Sequence, residues 1–225
     1  MLYKDKWYSI NNGINLDIPI GKRDNVYSEL SGVIEKLNLI EGLKYFFSCG
    51  TALGLVRDGH LLPWDNDVDI DVICPTHDQI AELESIMFAS GYVMKRDLSN
   101  HLGKVQLVFV KDPYHCIDFC FWHEENESYI NDVPESLFSI RRHSKSLYRA
   151  FYYLEVNNCN FKIPDSPDEY FAYLYGKDWK TPKVYRNWLR NAHDLRIDLK
   201  LLRVLSKLWW RIDYSLKRRF RPSKG

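Results

Sequence analysis

Cysteine is scarce in this chain: five among 225 residues, at positions 49, 74, 116, 120 and 159. The number is odd and no two form a CxxC, which favours reduced thiols over a secreted disulfide framework. Long apolar runs are missing too. No segment approaches the roughly 20 consecutive apolar residues of a membrane span, and Met1 to Gly13 lacks the apolar core of a signal peptide. A cytosolic protein is therefore expected. No internal repeat or low-complexity tract interrupts the chain. Net charge is almost absent, at +1, but it is unevenly divided. Residues 195–225 hold ten Lys and Arg against two Asp and Glu, so the remainder is acidic. The pattern is an acidic body with a basic tail. No RNA- or DNA-binding motif accompanies the tail, so no nucleic-acid partner is expected.

Hydrophobic residues make up 45% and aromatics 15%, enough for a real core in one domain. The most informative stretch runs from Cys49 to Val72. It opens on a small-residue turn, Gly50-Thr51, and closes on acids at every second position. Asp67, Asp69 and Asp71 alternate with Val68, Ile70 and Val72. A period of two is the strand period, so the three acids share one face. Neighbouring carboxylates there lie roughly 6–7 Å apart, and such a face calls for a cation over it, a divalent one held by oxygen ligands being the economical choice. An EF-hand starting at Asp65 is excluded, because Ile70 stands where Gly is needed and Thr76 where Glu is needed.

The elements around this stretch follow from periodicity and turn chemistry. A helix is expected from Asp24 or Asn25 to about Leu39, with Val26, Leu30, Val33, Ile34 and Leu37 on one face. Strands are expected at Lys44–Cys49, Val68–Ile73, Val105–Val110 and His115–Trp122. Short helices are expected at Ala52–Arg57 and Asp78–Ala89. Residues 124–132 read as a polar loop, Ser144–Ile163 as a hairpin or pair of strands, and Ser166 to Tyr175 as a helix with Pro167 near its start. From Leu195 a long helix should carry Leu201, Leu205, Leu208, Ile212 and Leu216 on one side. Arg196, Lys200, Arg203, Lys207, Arg211 and Arg218 fall on the other. That composition suits an anionic membrane surface; packing against the body is the alternative.

Asp118 joins the acids as a third, on a strand about fifty residues later. Turn amides and the Thr51 hydroxyl would hold a phosphate, Asp67, Asp69 and Asp118 would gather one or two Mg²⁺, and Arg57 would grip phosphate bidentately. For Arg57 a structural pair with Asp58 or Asp71 is the competing reading. Cys116 and Cys120 share a face with Asp118 but are spread too far along one strand to close a zinc site alone, and read better as small core-facing thiols.

Gly50-Thr51-Ala52-Leu53-Gly54, Arg57-Asp58-Gly59 and Leu62-Pro63-Trp64-Asp65-Asn66-Asp67-Val68-Asp69-Ile70 resemble the signature of the LicD family, which includes the fukutin branch. A second block supports the likeness: Ile163-Pro164, Tyr170-Phe171, then Leu174-Tyr175-Gly176-Lys177-Asp178-Trp179-Lys180-Thr181-Pro182. Together they span about residues 25–185. The resemblance implies an α+β nucleotidyltransferase-like domain over 1–192, with a small mixed sheet and flanking helices. It also implies transfer of a phosphorylated alcohol (phosphocholine, or ribitol or glycerol phosphate) from a CDP carrier to a hydroxyl of a glycan precursor, with release of CMP. By motif position the metal carboxylates would be Asp67 and Asp69, with Asp118 the third and Asp65 a further motif member. The cofactor implied is Mg²⁺, with Mn²⁺ as a substitute. A lipid-linked acceptor at the inner membrane face would explain the basic tail at 193–225. Asn66 replaces a common Asp, and Asp71 is an extra acid without an assigned role. The fukutin-related branch's cysteine cluster has no counterpart. The rival readings are a nucleotidyltransferase that moves NMP and releases pyrophosphate, and an inactive, membrane-docked glycan-binding protein.

Overall fold

The computed structural model of the chain describes residues 20–62, 65, 67–112, 115–132 and 140–182. The expected C-terminal helix, the segment 1–19, Trp64 and Asn66 lie outside the described residues. Among those described, the chain runs α1 (Ile20–Leu37), β1 (Tyr45–Phe47), α2 (Cys49–Asp58), β2 (Val68–Ile73), α3 (His77–Ala89), β3 (Val93–Asn100), β4 (Gly103–Asp112), β5 (His115–Glu125), β6 (Ser128–Asp132), β7 (Ile140–Ser144), a 3-10 turn (Lys145–Tyr148), β8 (Phe151–Val156), β9 (Cys159–Pro164) and α4 (Pro167–Tyr175). This is a mixed α+β fold with a mixed sheet and flanking helices.

The main sheet has the order β1-β2-β5-β4-β3, and β6 and β7 extend it from the far end of β5. Among the described strands of this sheet only β2 and β5 run parallel; the other pairs are antiparallel. Alternation gives the sheet two unlike faces. On one, Phe47, Ile70, Leu107, Phe109, Phe119 and Phe121 are completely buried. There Phe88 of α3 packs edge-on against Phe109 at 5.7 Å, and Tyr27 of α1 and Phe47 both meet Phe161 of β9. The other face carries Asp69 and Asp71 of β2 beside Asp118, Cys120 and Trp122 of β5. Phe46, the partner of Asp71 on β1, packs there against Tyr148, Phe151 and Tyr170. The amphipathic stripe of α1 is buried as its spacing predicts, with Val26, Leu30, Val33, Ile34 and Leu37 all below 5% exposed. A capping box starts α3: Gln79 N–H donates to Thr76 Oγ1 while the Gln79 side chain accepts from Thr76 N–H.

One expectation needs correction. Residues 124–132 are not a loop, because β5 continues to Glu125 and turns through Asn126 and Glu127 into β6. Asn126 takes a positive φ of 52°, which asparagine tolerates. The polar composition concealed a hairpin whose Ile130 and Asn131 are buried. Strands β3 and β7 were likewise unforeseen; among the described residues β7 pairs with β6 alone. The hairpin expected within 144–163 forms as β8 and β9. Asn157 and Asn158 at its tip both have positive φ, the two-residue turn that matches strand twist.

Candidate active site

Two elements meet at the site, the start of α2 and the start of β2. The backbone of Asp69 is pinned to the helix from both directions. Its N–H donates to Thr51 Oγ1 at 2.9 Å, and its carbonyl accepts from Ser48 N–H at 3.1 Å. Thr51 is only 1% exposed. In this structure the hydroxyl braces the acidic strand. Gly50 has a steric part at the site. A Cβ on it would stand 2.1 Å from Asp65 Oδ2 and 3.3 Å from Asp65 Cγ, so only glycine lets that carboxylate rest on the helix backbone. Gly54, one turn on, allows equally close approach to the loop that carries Asp65: its Cβ would lie 2.7 Å from the His60 carbonyl and 2.9 Å from Leu62 N.

The result is a convergence of Asp65, Asp67 and Asp69, each offering one carboxylate oxygen within 4.8 Å of the others. Fully charged groups at about 4.8 Å repel by about 3.5 kcal/mol per pair at an effective dielectric of about 20. Three pairs reach about 10 kcal/mol, comparable to the whole stability of a domain. The carboxyls respond accordingly. Burial, followed by Asp65 and Asp118, pushes Asp67 well above the ordinary carboxylate range. Burial, followed by Asp67, Asp118 and Asp71, does the same to Asp69. Such a trio is suited to a hard divalent cation, which takes oxygen ligands and cancels the repulsion.

Asp118 stands beside this trio rather than within it. Its Cα pairs with that of Asp69 across the parallel ladder, but Oδ2 accepts a 2.6 Å bond from Gln106 Nε2. Gln106 Oε1 in turn accepts from Arg96 at 3.3 Å. Burial raises the Asp118 carboxyl to about 6, against the lowering effect of Gln106, Arg141 and Arg96. Asp71 lies two residues deeper on the same face, 2% exposed and close to Ser48, Trp122 and His143. Among the described residues its Oδ2 has no hydrogen-bond partner. Arg57 Nε and Nη2 form a bidentate pair with the neighbouring Asp58 at 2.8 and 2.7 Å, the pairing the sequence offered beside a phosphate contact. Cys116 and Cys120 are buried thiols flanking Asp118, and no cysteine–histidine set converges among the described residues.

Sequence reasoning missed Arg141 of β7. Its Nη1 lies 3.8 Å from Cys120 Sγ, and its charge acts on Asp69, Asp71 and Asp118. The only signal was an Arg-Arg pair in a stretch without clear periodicity.

With this geometry in place, comparison with known sequences is decisive. A family model described as LicD/FKTN/FKRP, nucleotidyltransferase domain, matches residues 42–166, more than half of the chain. The chain belongs to the LicD family. The match takes in α2, the acid trio, Asp118 and Arg141, and ends just before α4. Ribitol-5-phosphate transferase FKTN from Macaca fascicularis and from Homo sapiens each share 24% identity over 157 residues. Those residues make up 69% of this chain and 33% of each FKTN, so the LicD-family chain spans about a third of these curated relatives. Among solved structures, lincosamide antibiotic adenylyltransferase LnuA with lincomycin bound aligns at 13% identity and a TM-score of 0.41, covering 61% of this chain and 81% of that one. The solution structure of antibiotic-resistance factor ANT(2'')-Ia aligns at 14% identity and a TM-score of 0.44, covering 88% and 97%. No described helix is long and apolar enough to cross a membrane.

Proposed function

We propose that this LicD-family chain is a Mg²⁺-dependent transferase that moves a phosphorylated alcohol from a CDP carrier to a sugar hydroxyl of a glycan precursor and releases CMP. The observation that carries the reading is the convergence of Asp65, Asp67 and Asp69 against the Gly50 backbone. Family membership and the ribitol-5-phosphate transferase activity named for the FKTN relatives support the choice of a phosphorylated alcohol.

Asp65, Asp67 and Asp69 would hold Mg²⁺, or Mn²⁺ in its place. A cation bound there supplies charge neutralisation at the phosphate oxygens of the donor and so lowers the barrier to in-line displacement. Thr51 and Gly50 fix the ligand geometry, the first by anchoring Asp69 and the second by admitting Asp65. Asp118 takes the proton of the attacking hydroxyl. In the metal-free chain burial raises its carboxyl to about 6, which leaves it ionised at neutral pH. The oxygen of the acceptor bonds to the phosphorus that carries the alcohol, the bridging P–O bond breaks, and CMP departs with that electron pair. The basic segment 193–225 would bring the chain to an anionic membrane face where a lipid-linked acceptor resides.

Incubation with CDP-choline, CDP-ribitol or CDP-glycerol plus Mg²⁺, with nucleotide products followed by chromatography, tests this. CMP release with at least one donor, abolished in Asp67→Asn and Asp69→Asn, is expected. Pyrophosphate release from a nucleoside triphosphate instead would establish NMP transfer, and full biological effect of Asp67→Ala and Asp69→Ala proteins would establish a binding role. Sedimentation with anionic vesicles, with and without residues 193–225, tests the membrane contact.

A further inference from the structure

Arg57 is paired with its neighbour Asp58, and a second arginine, Arg141, stands beside the acids. We propose that Arg141 holds the diphosphate of the donor; this rests on the reading of the site as one for a nucleoside-diphosphate carrier.

The backbone puts Arg141 in place firmly. It lies directly across from Asn131 in the β6–β7 ladder, and cross-strand partners share a face. Asn131 is completely buried, and its Nδ2 donates to the carbonyls of Val105 and Phe121 at 2.9 and 2.8 Å. One amide thus fastens β6 to β4 and β5 at the height of Arg141. The side chain reaches the acidic face of the sheet, where Nη1 meets Cys120 Sγ. Cys120 is the ladder partner of Asp71 and lies two residues from Asp118. Arg142 points the other way and pairs with Glu125. Arg141 is half-buried, and its surroundings strengthen any charge interaction it makes.

Charge balance gives this cation a task. Asp65, Asp67, Asp69, Asp71 and Asp118 crowd one end of the sheet face, and a diphosphate adds further negative charge. One or two divalent cations neutralise the carboxylates at best, so the phosphate oxygens need a donor of their own. A guanidinium offers a planar fork that two such oxygens can fill together, which an ammonium cannot do. As the bridging P–O bond breaks, charge grows on the departing nucleotide phosphate, and a fixed cation beside it favours the transition state over the ground state.

A plain counter-ion for the buried acids would occupy the same place, but the two roles respond differently to substitution. The full chain is titrated calorimetrically with Mg²⁺ alone, and then with inorganic pyrophosphate at saturating Mg²⁺. Arg141→Gln is expected to weaken pyrophosphate binding tenfold or more, while Mg²⁺ binds as tightly as before or tighter, since a positive charge near its ligands has gone. Arg141→Lys keeps the charge, loses the fork, and should weaken pyrophosphate severalfold. Unchanged pyrophosphate affinity in either folded variant overturns the proposal and leaves a counter-ion. Failure of the unaltered chain to bind pyrophosphate overturns it as well. Should Arg141→Gln not fold by circular dichroism, Arg141→Lys decides. None of these readings depends on cytidine, so a chain that releases no CMP can still pass this test, and one that releases CMP can fail it.

Discussion

Gly50→Ala separates the stability of the fold from the assembly of its site. Alanine is the better helix former, by up to about 1 kcal/mol in a helix interior and less in the first turn, where Gly50 sits. Propensity alone therefore predicts a small gain. The new methyl, however, would fall 2.1 Å from Asp65 Oδ2, far inside contact distance. The atom it meets is the end of a side chain, so the cheapest response is for the Asp65 carboxylate to swing away. That relieves two of the three repulsive pairs, at about 3.5 kcal/mol each for full charges and a dielectric of about 20. The metal-free variant should thus melt no lower than the parent. It should also lose one of three cation ligands and bind Mg²⁺ at least tenfold more weakly, about 1.4 kcal/mol. Differential scanning calorimetry across a Mg²⁺ titration reads both effects. An unchanged Mg²⁺-induced shift in Tm, with turnover intact, would show that the position of Asp65 against the helix is irrelevant to the cation.

Gly54→Ala should behave in the opposite way: its Cβ meets backbone, the His60 carbonyl at 2.7 Å, so thermal unfolding should show a loss of about 1–3 kcal/mol with or without Mg²⁺. Thr51→Val removes the acceptor for the Asp69 N–H and should cost about 1–3 kcal/mol, with Thr51→Ser retaining most of the stability in urea unfolding. The Asp118 carboxyl lies higher in the folded chain, near 6, than in the unfolded one, near 3.8. Its stabilisation is therefore fully present below about pH 3.8 and lost as pH rises through 6, by about 3 kcal/mol. In Mg²⁺-free buffer, unfolding free energies of the parent minus those of Asp118→Asn should fall across that window; a flat difference would refute the assignment.

Much of the sheet was legible because its signals are local. Strict alternation from Asp67 to Val72 fixes a strand and a common face whatever packs on it, and β2 forms over the expected residues. The buried stripe of α1 and the Pro-led start of α4 follow from spacing and cap chemistry in the same way. Asp65 was identified as part of the motif, but its place in the trio depends on a loop folding back over Gly50, a contact across fifteen residues that periodicity does not encode.

The chain order alone thus determined a strand with acids on one side and hydrocarbon on the other, because side-chain direction in an extended backbone is set residue by residue. Tertiary structure decided which charges meet. Ladder register put Asp118 next to Asp69 and gave one of its oxygens to Gln106, and a buried amide on β6 delivered Arg141. These are pairings between distant segments, and their energies depend on separation and burial, which exist only once the chain has folded.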